Sequence, residues 1–228
     1  MTETDAYDPH VYPPMAVTVD LVLMTLWEGR LCVLLTRRGE APFSGRRALP
    51  GGFVGPDESL DAAARRVLAG KAHLEGAWLE QLYSFGAPGR DPRMRVVTVA
   101  YFALLPPERL AAALEGAPEL SLALVEAAAA GEGAEEALAF DHAEIVALAL
   151  QRLRGKLDYT PIAFALLPEL FTLRALQDVH EAILGRPLNK PAFRRRMLDR
   201  GWLEATGARE SGAAFRPAAL YRFRPPSH

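Results

Sequence analysis

The chain has 228 residues, of which 50% are hydrophobic, 24% charged and 8% aromatic, and its net charge is −2 at neutral pH. That composition fits one large or two small globular domains and excludes a wholly disordered, collagen-like or disulfide-framework chain. The charge is unevenly spread: residues 157–228 hold eleven Lys and Arg against seven Asp and Glu, +4, which leaves −6 on residues 1–156. A basic tail on an acidic body points to a polyanionic partner for the tail. The single cysteine, Cys32, has no intramolecular partner and suits a reducing, cytoplasmic setting, with the thiol buried in an apolar strand. Residues 1–15 lack the basic start and apolar core of a secretion signal, and no stretch of ~18 apolar residues predicts a membrane span.

In chain order, residues 1–15 read as a flexible segment. Ala16–Leu26 and Leu31–Thr36 are apolar, β-favouring runs separated by Glu28-Gly29, a strand–turn–strand pattern. Asp57–Ala72 has helical spacing, with Leu60, Ala63, Ala64, Val67 and Leu68 on one face. Arg95–Leu105 predicts a strand through Val96, Val97, Val99 and Tyr101. Pro106-Pro107 opens a short helix over Glu108–Leu114. Glu119–Val125 reads as a strand, and the alanine- and glycine-rich Ala127–Ala137 as a surface loop. Asp141 predicts the cap of a helix that runs to about Arg154 and stops at Gly155-Lys156. His142 beside it belongs to no metal-ligand cluster and reads as a capping or packing residue.

The last seventy residues predict three short amphipathic helices, about Pro161–Leu167, Thr172–Leu184 and Lys190–Arg200, the last two separated by Gly185-Arg186-Pro187. Trp202–Glu204 and Ala219–Phe223 follow as two strands around a glycine-bearing turn. The class expected is therefore α+β: a mixed sheet with helices over residues 16–156, then a winged helix–turn–helix over 157–228. At ~100° per residue the Lys190–Arg200 helix puts Phe193 and Met197 inward and Arg195 outward, flanked by Arg194 and Arg196. Arginine suits both guanine edges and phosphates. Lys190, Arg194, Arg195, Arg196 and Arg200, with Arg209 and Arg216 in the wing, are the candidate contacts to double-stranded DNA.

The chemical motif lies between the first strands and the first helix. Ala48-Leu49-Pro50-Gly51-Gly52-Phe53-Val54, then Glu58, then Arg65-Arg66, resembles the Nudix box of pyrophosphate hydrolases, a loop–helix–loop whose carboxylates hold Mg²⁺ against a diphosphate. Counted from Gly52, Glu58 and Arg66 fall in register. The three later glutamates of the pattern are Val67, Gly70 and Lys71 here, and its closing glycine is His73. One carboxylate cannot build that metal cluster, so the expectation is a binding module with no metal and no catalytic residue. Gly51 and Gly52 let backbone approach a ligand, and Arg46, Arg47 and Arg66 are candidates to face its phosphates. For Arg66 an ion pair with Glu58 that braces the loop is the other reading.

A second resemblance covers residues 12–224 and is weakest across 106–138. Tyr12-Pro13 leading to Ala16–Asp20, Arg37–Phe43, Arg90-Asp91-Pro92-Arg93, Ala139-Phe140-Asp141-His142, Tyr159–Pro168, Phe171–Leu173 and Gly185–Leu188 look like the Nudix-related transcriptional regulators of NAD metabolism. Arg47 stands where that family usually has tryptophan. The resemblance implies a Nudix-like α/β/α sandwich with a winged helix–turn–helix, working as a homodimeric repressor. Its effector would be ADP-ribose or a related NAD-derived nucleotide, with no cofactor required and with Arg38 and Arg93 joining the ligand site. The alternative is a hydrolase of ADP-ribose-like diphosphates with an accessory C-terminal domain.

Overall fold

A computed structural model describes residues 8, 11–131, 137–210 and 217–225. Most of the segment expected to be flexible, 1–15, lies outside them, as do part of the expected 127–137 loop and Arg216. The N-terminal part is built on β1 (Ala16–Trp27), which pairs in parallel with β6 (Val96–Leu104) along Ala16–Met24 and antiparallel with β2 (Arg30–Arg37) at its far end. Toward the start of β1 the two strands splay, and the fork is filled by β3 (Arg47–Ala48) against β2 and β4 (Gly51–Phe53) against β1. The sheet is completed by β5 (Glu80–Phe85) beside β6 and β7 (Leu120–Leu124) beside β2.

Alternation along the strands separates two apolar layers. Val19, Leu21, Leu23, Val99 and Tyr101 face α1 (Leu60–Ala72) and α2 (Pro107–Gly116). Val22, Met24, Val33, Leu35 and Phe102 face the opposite layer, where α3 (Val125–Ala130) and α4 (His142–Lys156) lie. The α/β/α sandwich expected from the sequence is present. So is the winged domain: a 3-10 helix (Ile162–Leu166), α5 (Leu173–Leu184) and α6 (Lys190–Asp199), then a sheet ordered β8 (Phe171–Thr172), β10 (Ala219–Phe223), β9 (Leu203–Arg209). Phe164 anchors it, stacked on Phe223 (ring centroids 4.6 Å) with Phe171 and Trp202 around it. The two parts share one core, because the layer containing Ile145, Val146, Ala149 and Leu153 of α4 runs on to Leu176, Val179 and Ile183 of α5 and to Phe193 and Met197 of α6. Among the described residues no helix is long and apolar enough to cross a membrane.

Several local expectations change. The start of the alanine-rich stretch is helical, because Val125 and Ala128 bury against α4 and small side chains permit close approach. The strand Glu80–Phe85 carries one fully buried side chain, Leu82, and so leaves little apolar signal. The first helix of the winged part is a 3-10 turn, and the wing has a third strand, β8, only two residues long. Asp141 occupies the N-cap position of α4, but its carboxylate makes no capping bond; it is taken by Arg90.

Thr172 and Asn189 cap α5 and α6 through their side-chain oxygens, 3.0 Å from the amides of Ala175 and Ala192. Between these helices His180 is 3% exposed, donates from Nδ1 to the Leu176 carbonyl (2.8 Å) and meets Phe193 edge-on. Burial pushes its pKa down to about 4, with Arg196 and Arg200 adding repulsion against the Leu176 bond. The unfolded chain takes that proton near pH 6.5, so stability present above 6.5 is lost as pH falls toward 4, by up to ~3 kcal/mol. Denaturant unfolding between pH 7 and 4.5 should therefore show a smaller pH-dependent loss in His180→Leu than in the wild type; equal losses would place the titration elsewhere.

Candidate functional site

The fork between β1 and β2 opens a cleft of about 480 Å³, within the range of small-molecule sites. Its floor is Thr18 and Asp20 of β1 together with Leu49 and Gly51, and its walls come from Arg38, Lys71, Phe53, Arg93 and Phe140. Gly51 is required by proximity: a Cβ there would lie 2.1 Å from Asp20 Oδ1. At Gly52 it would lie 3.0 Å from Val67 Cγ2. Thr18, which lines the cleft, keeps a buried Oγ1 with no hydrogen-bond partner among the described residues.

Under the cleft sits a buried charge cluster. Arg90, 8% exposed, donates from Nε and Nη2 to the two Asp141 oxygens (2.8 and 2.6 Å), and its Nη2 lies 3.5 Å from Asp20. Burial opposes the Arg90 charge, but Asp141 and then Asp20 outweigh it and hold the pKa above the ordinary arginine value. His142 accepts the Leu49 amide at Nδ1 (2.9 Å) and points Nε2 toward Asp20 (3.6 Å). Burial holds its pKa down despite Asp20 and Asp141, so the neutral ring carries its proton on Nε2. This is the packing role expected of it.

Aromatic and guanidinium planes line the mouth. Arg38 lies over Phe140 (4.7 Å to the ring centroid) and donates from Nε to the Pro42 carbonyl. Arg93 lies between Phe53 and Phe140 (5.3 and 5.8 Å) and is held by Asp91, Nη2 to Oδ2 2.7 Å. Phe140 has φ 57°, a left-handed conformation unusual for an aromatic residue and a form of strain that collects at functional sites.

Of the ligand residues expected from sequence, the cleft gathers Arg38, Gly51, Gly52 and Arg93 and leaves out Arg46, Arg47 and Arg66. Arg46 turns onto Phe43 (5.5 Å). Arg47 is a β3 residue opposite Arg37 whose carbonyl accepts the Ala139 amide. Arg66 bonds Glu58, Nε to Oε2 3.0 Å, and the Phe53 carbonyl, 2.8 Å, which is the bracing pair. Missed from sequence were Thr18, Asp20 and Phe140, because apolar strands and a lone loop aromatic carry no chemical pattern. Arg90 entered the sequence reading only within the Arg90-Asp91-Pro92-Arg93 motif.

A Nudix box implies a divalent metal, and the residues present do not fit one. Glu58 is committed to Arg66 and to the Gly55 amide (2.7 Å), with its pKa lowered to about 2 by the Arg66 and Gly55 bonds. Val67, Gly70 and Lys71 occupy the other ligand positions. Among the described residues no group of three or more Asp, Glu, His or Cys is arranged to hold a metal. His73, at the pattern's closing glycine, has φ 54°, which explains why glycine suits that place.

The second surface is α6. Phe193 and Met197 are buried, while Lys190, Arg194, Arg195 and Arg196 are exposed, Arg195 on the side away from the buried pair. Lys190, Arg194 and Arg209 line a groove of about 440 Å³ with Arg174 and Gln177 of α5, and Arg209 is steadied by the Pro217 carbonyl (2.9 Å). Arg200 stands apart: it stacks on Trp202 (4.7 Å) and donates to the Leu157 and Asp158 carbonyls just past α4.

Comparison with known proteins matches residues 14–149 to the NUDIX domain and residues 163–223 to the NrtR DNA-binding winged helix domain. An ADPR responsive transcriptional repressor, NtrR, of Acinetobacter baylyi is 39% identical over 219 residues, 95% of this chain and 85% of that protein. The chain belongs to the NrtR family. Shewanella oneidensis NrtR complexed with a 27mer DNA superposes with a TM-score of 0.80 at 36% identity, covering 91% of this chain and 93% of the other. The NUDIX domain of the same protein, complexed with ADP ribose, matches with a TM-score of 0.54 at 32% identity over 67% of this chain and 99% of that one. In this NrtR-family chain Arg90 is the most exacting residue of the cleft. Arg90→Leu strands two buried carboxylates and should destabilise the fold by ~3–5 kcal/mol, whereas Arg93→Leu, which strands only Asp91 and leaves it the Arg93 amide, should cost about 1–2 kcal/mol. Urea denaturation of both variants checks this, and equal losses would contradict it.

Proposed function

We propose that the protein is an ADP-ribose-responsive transcriptional repressor. As a cytoplasmic homodimer it presents two α6 helices to a pseudo-palindromic DNA site. One observation carries this reading: a diphosphate-sized cleft without a metal-holding acid set shares its core with a basic reading helix. The Acinetobacter relative's name and the DNA and ADP-ribose complexes of the Shewanella protein support it. Arg38 and Arg93 would meet the diphosphate, Phe53 and Phe140 the flat parts of the nucleotide, and Thr18 Oγ1 a ligand hydroxyl. With Val67, Gly70 and Lys71 in the acid positions, the cleft binds this ligand and does not hydrolyse it.

α4 is the physical link. Asp141 and His142 start it at the cleft, and Arg154 near its end donates to the Ile183 carbonyl of α5 (2.8 Å) and to Glu126 (2.6 Å). Gly185 closes α5 there with φ 68°, and a Cβ would lie 2.8 Å from Glu126 Oε1. An effector that favours one setting of α4 over another would shift the spacing of the reading helices by its differential affinity.

On a duplex selected by the wild-type protein from a random pool, Arg195→Ala should raise Kd by about tenfold, with binding that weakens steeply as salt rises. Undiminished binding by Arg195→Ala in fluorescence anisotropy would overturn the assignment of α6. Incubation with Mg²⁺ and ADP-ribose should release no AMP; Glu58-dependent AMP release would instead favour the hydrolase reading.

A further inference from the structure

The cleft treats its cations in two ways. Arg90 and Arg93 are each bonded to a carboxylate, Asp141 and Asp91. Arg37, Arg38 and Lys71 are not, and Arg37 turns its guanidinium to the Gly45 carbonyl (3.0 Å). Arg38 bonds only the backbone carbonyls of Pro42 and Glu40, and Lys71 makes no hydrogen bond or ion pair among the described residues. The two lie near enough to repel one another: burial and then Arg38 hold the Lys71 pKa down, against a weaker pull from Asp20 and Glu40. Positive charges without a carboxylate partner, walling one cleft, describe an anion site.

Position adds to this. Lys71 is in the last turn of α1, at a place where the hydrolase pattern carries a metal-binding glutamate. The carboxylate the box retains, Glu58, is closed onto Arg66 and Gly55 and is not available to neutralise it. The helix C-terminus also favours a cation there.

We infer that the Lys71 ammonium, with Arg38 of the same cleft, replaces the divalent cation as the counter-charge of a diphosphate, so that this cleft binds its effector without metal. The inference rests on the effector reading above and adds the residue that makes that binding metal-independent. A lysine also selects by charge: it favours a diphosphate over a neutral sugar.

Titration calorimetry on the full chain tests it with two probes, ADP-ribose and inorganic pyrophosphate, each in EDTA and in Mg²⁺. The wild type should bind both equally well in either condition. Lys71→Met should weaken both by about tenfold or more and flatten the salt dependence, while Lys71→Arg keeps most of the affinity. Wild-type binding that needs Mg²⁺, or Lys71→Met binding ADP-ribose like the wild type, overturns the inference and leaves the effector reading standing. Metal-free, Lys71-dependent binding of pyrophosphate without binding of ADP-ribose keeps the inference and overturns that effector. Binding of neither probe overturns both. Circular dichroism of each variant confirms that a loss reflects the site and not the fold.

Discussion

Arg90 is buried with its guanidinium shared between Asp141, at the head of α4, and Asp20, in the middle of β1, so one charge fixes the cleft floor to the helix that leaves it. Neither carboxylate has another strong partner at that depth, because His142 is neutral and faces Asp20 at 3.6 Å. Removing the guanidinium would leave two desolvated negative charges. The cluster also explains why Asp141 does not cap its own helix: a bidentate bond to a buried arginine outweighs one to a backbone amide. From that point α4 crosses the shared core and reaches α5 through Arg154, with Arg200 closing the junction from the end of α6. The two parts of the molecule are therefore joined by packing as well as by sequence.

Much of the architecture was legible because its signals are local. The apolar run of β1 states a strand buried on both sides, and the 3.6-residue spacing of α1 and the inward Phe193 and Met197 of α6 each state a face directly. What escaped was structure whose cause lies elsewhere in the chain. β3 and β4 are short segments fitted into a fork that exists only once β1 and β2 splay. β5 is a polar edge with one buried residue, and α3 owes its helix to the neighbour it packs on.

The cleft was read less completely, for the same reason. Charge alone nominated Arg46, Arg47 and Arg66, and tertiary contacts sent each away: to a phenylalanine, to a strand ladder and to Glu58. Motif nominated Gly51, Gly52, Arg38 and Arg93, which do converge. Asp20 and Phe140 needed the fold, since one sits inside an apolar strand and the other in a loop 120 residues later. Arg200 looked like one more cation of the reading helix and proved to hold the interdomain junction.

Binding without cleavage, as proposed above, would suit a protein that must report a ligand and leave it intact. The same scaffold that aligns acids in hydrolases here aligns cations and rings, and in the function proposed above α4 would carry the state of the cleft to α6. Linkage makes this measurable, since any effect of effector on DNA affinity must appear as an equal effect of DNA on effector affinity. The direct measurement is the ADP-ribose affinity of the free protein and of the protein saturated with selected operator DNA. Coupling through α4 requires the two affinities to differ, by the same factor as ADP-ribose changes DNA binding, and to converge in Arg154→Ala. Identical affinities in the wild type would contradict it.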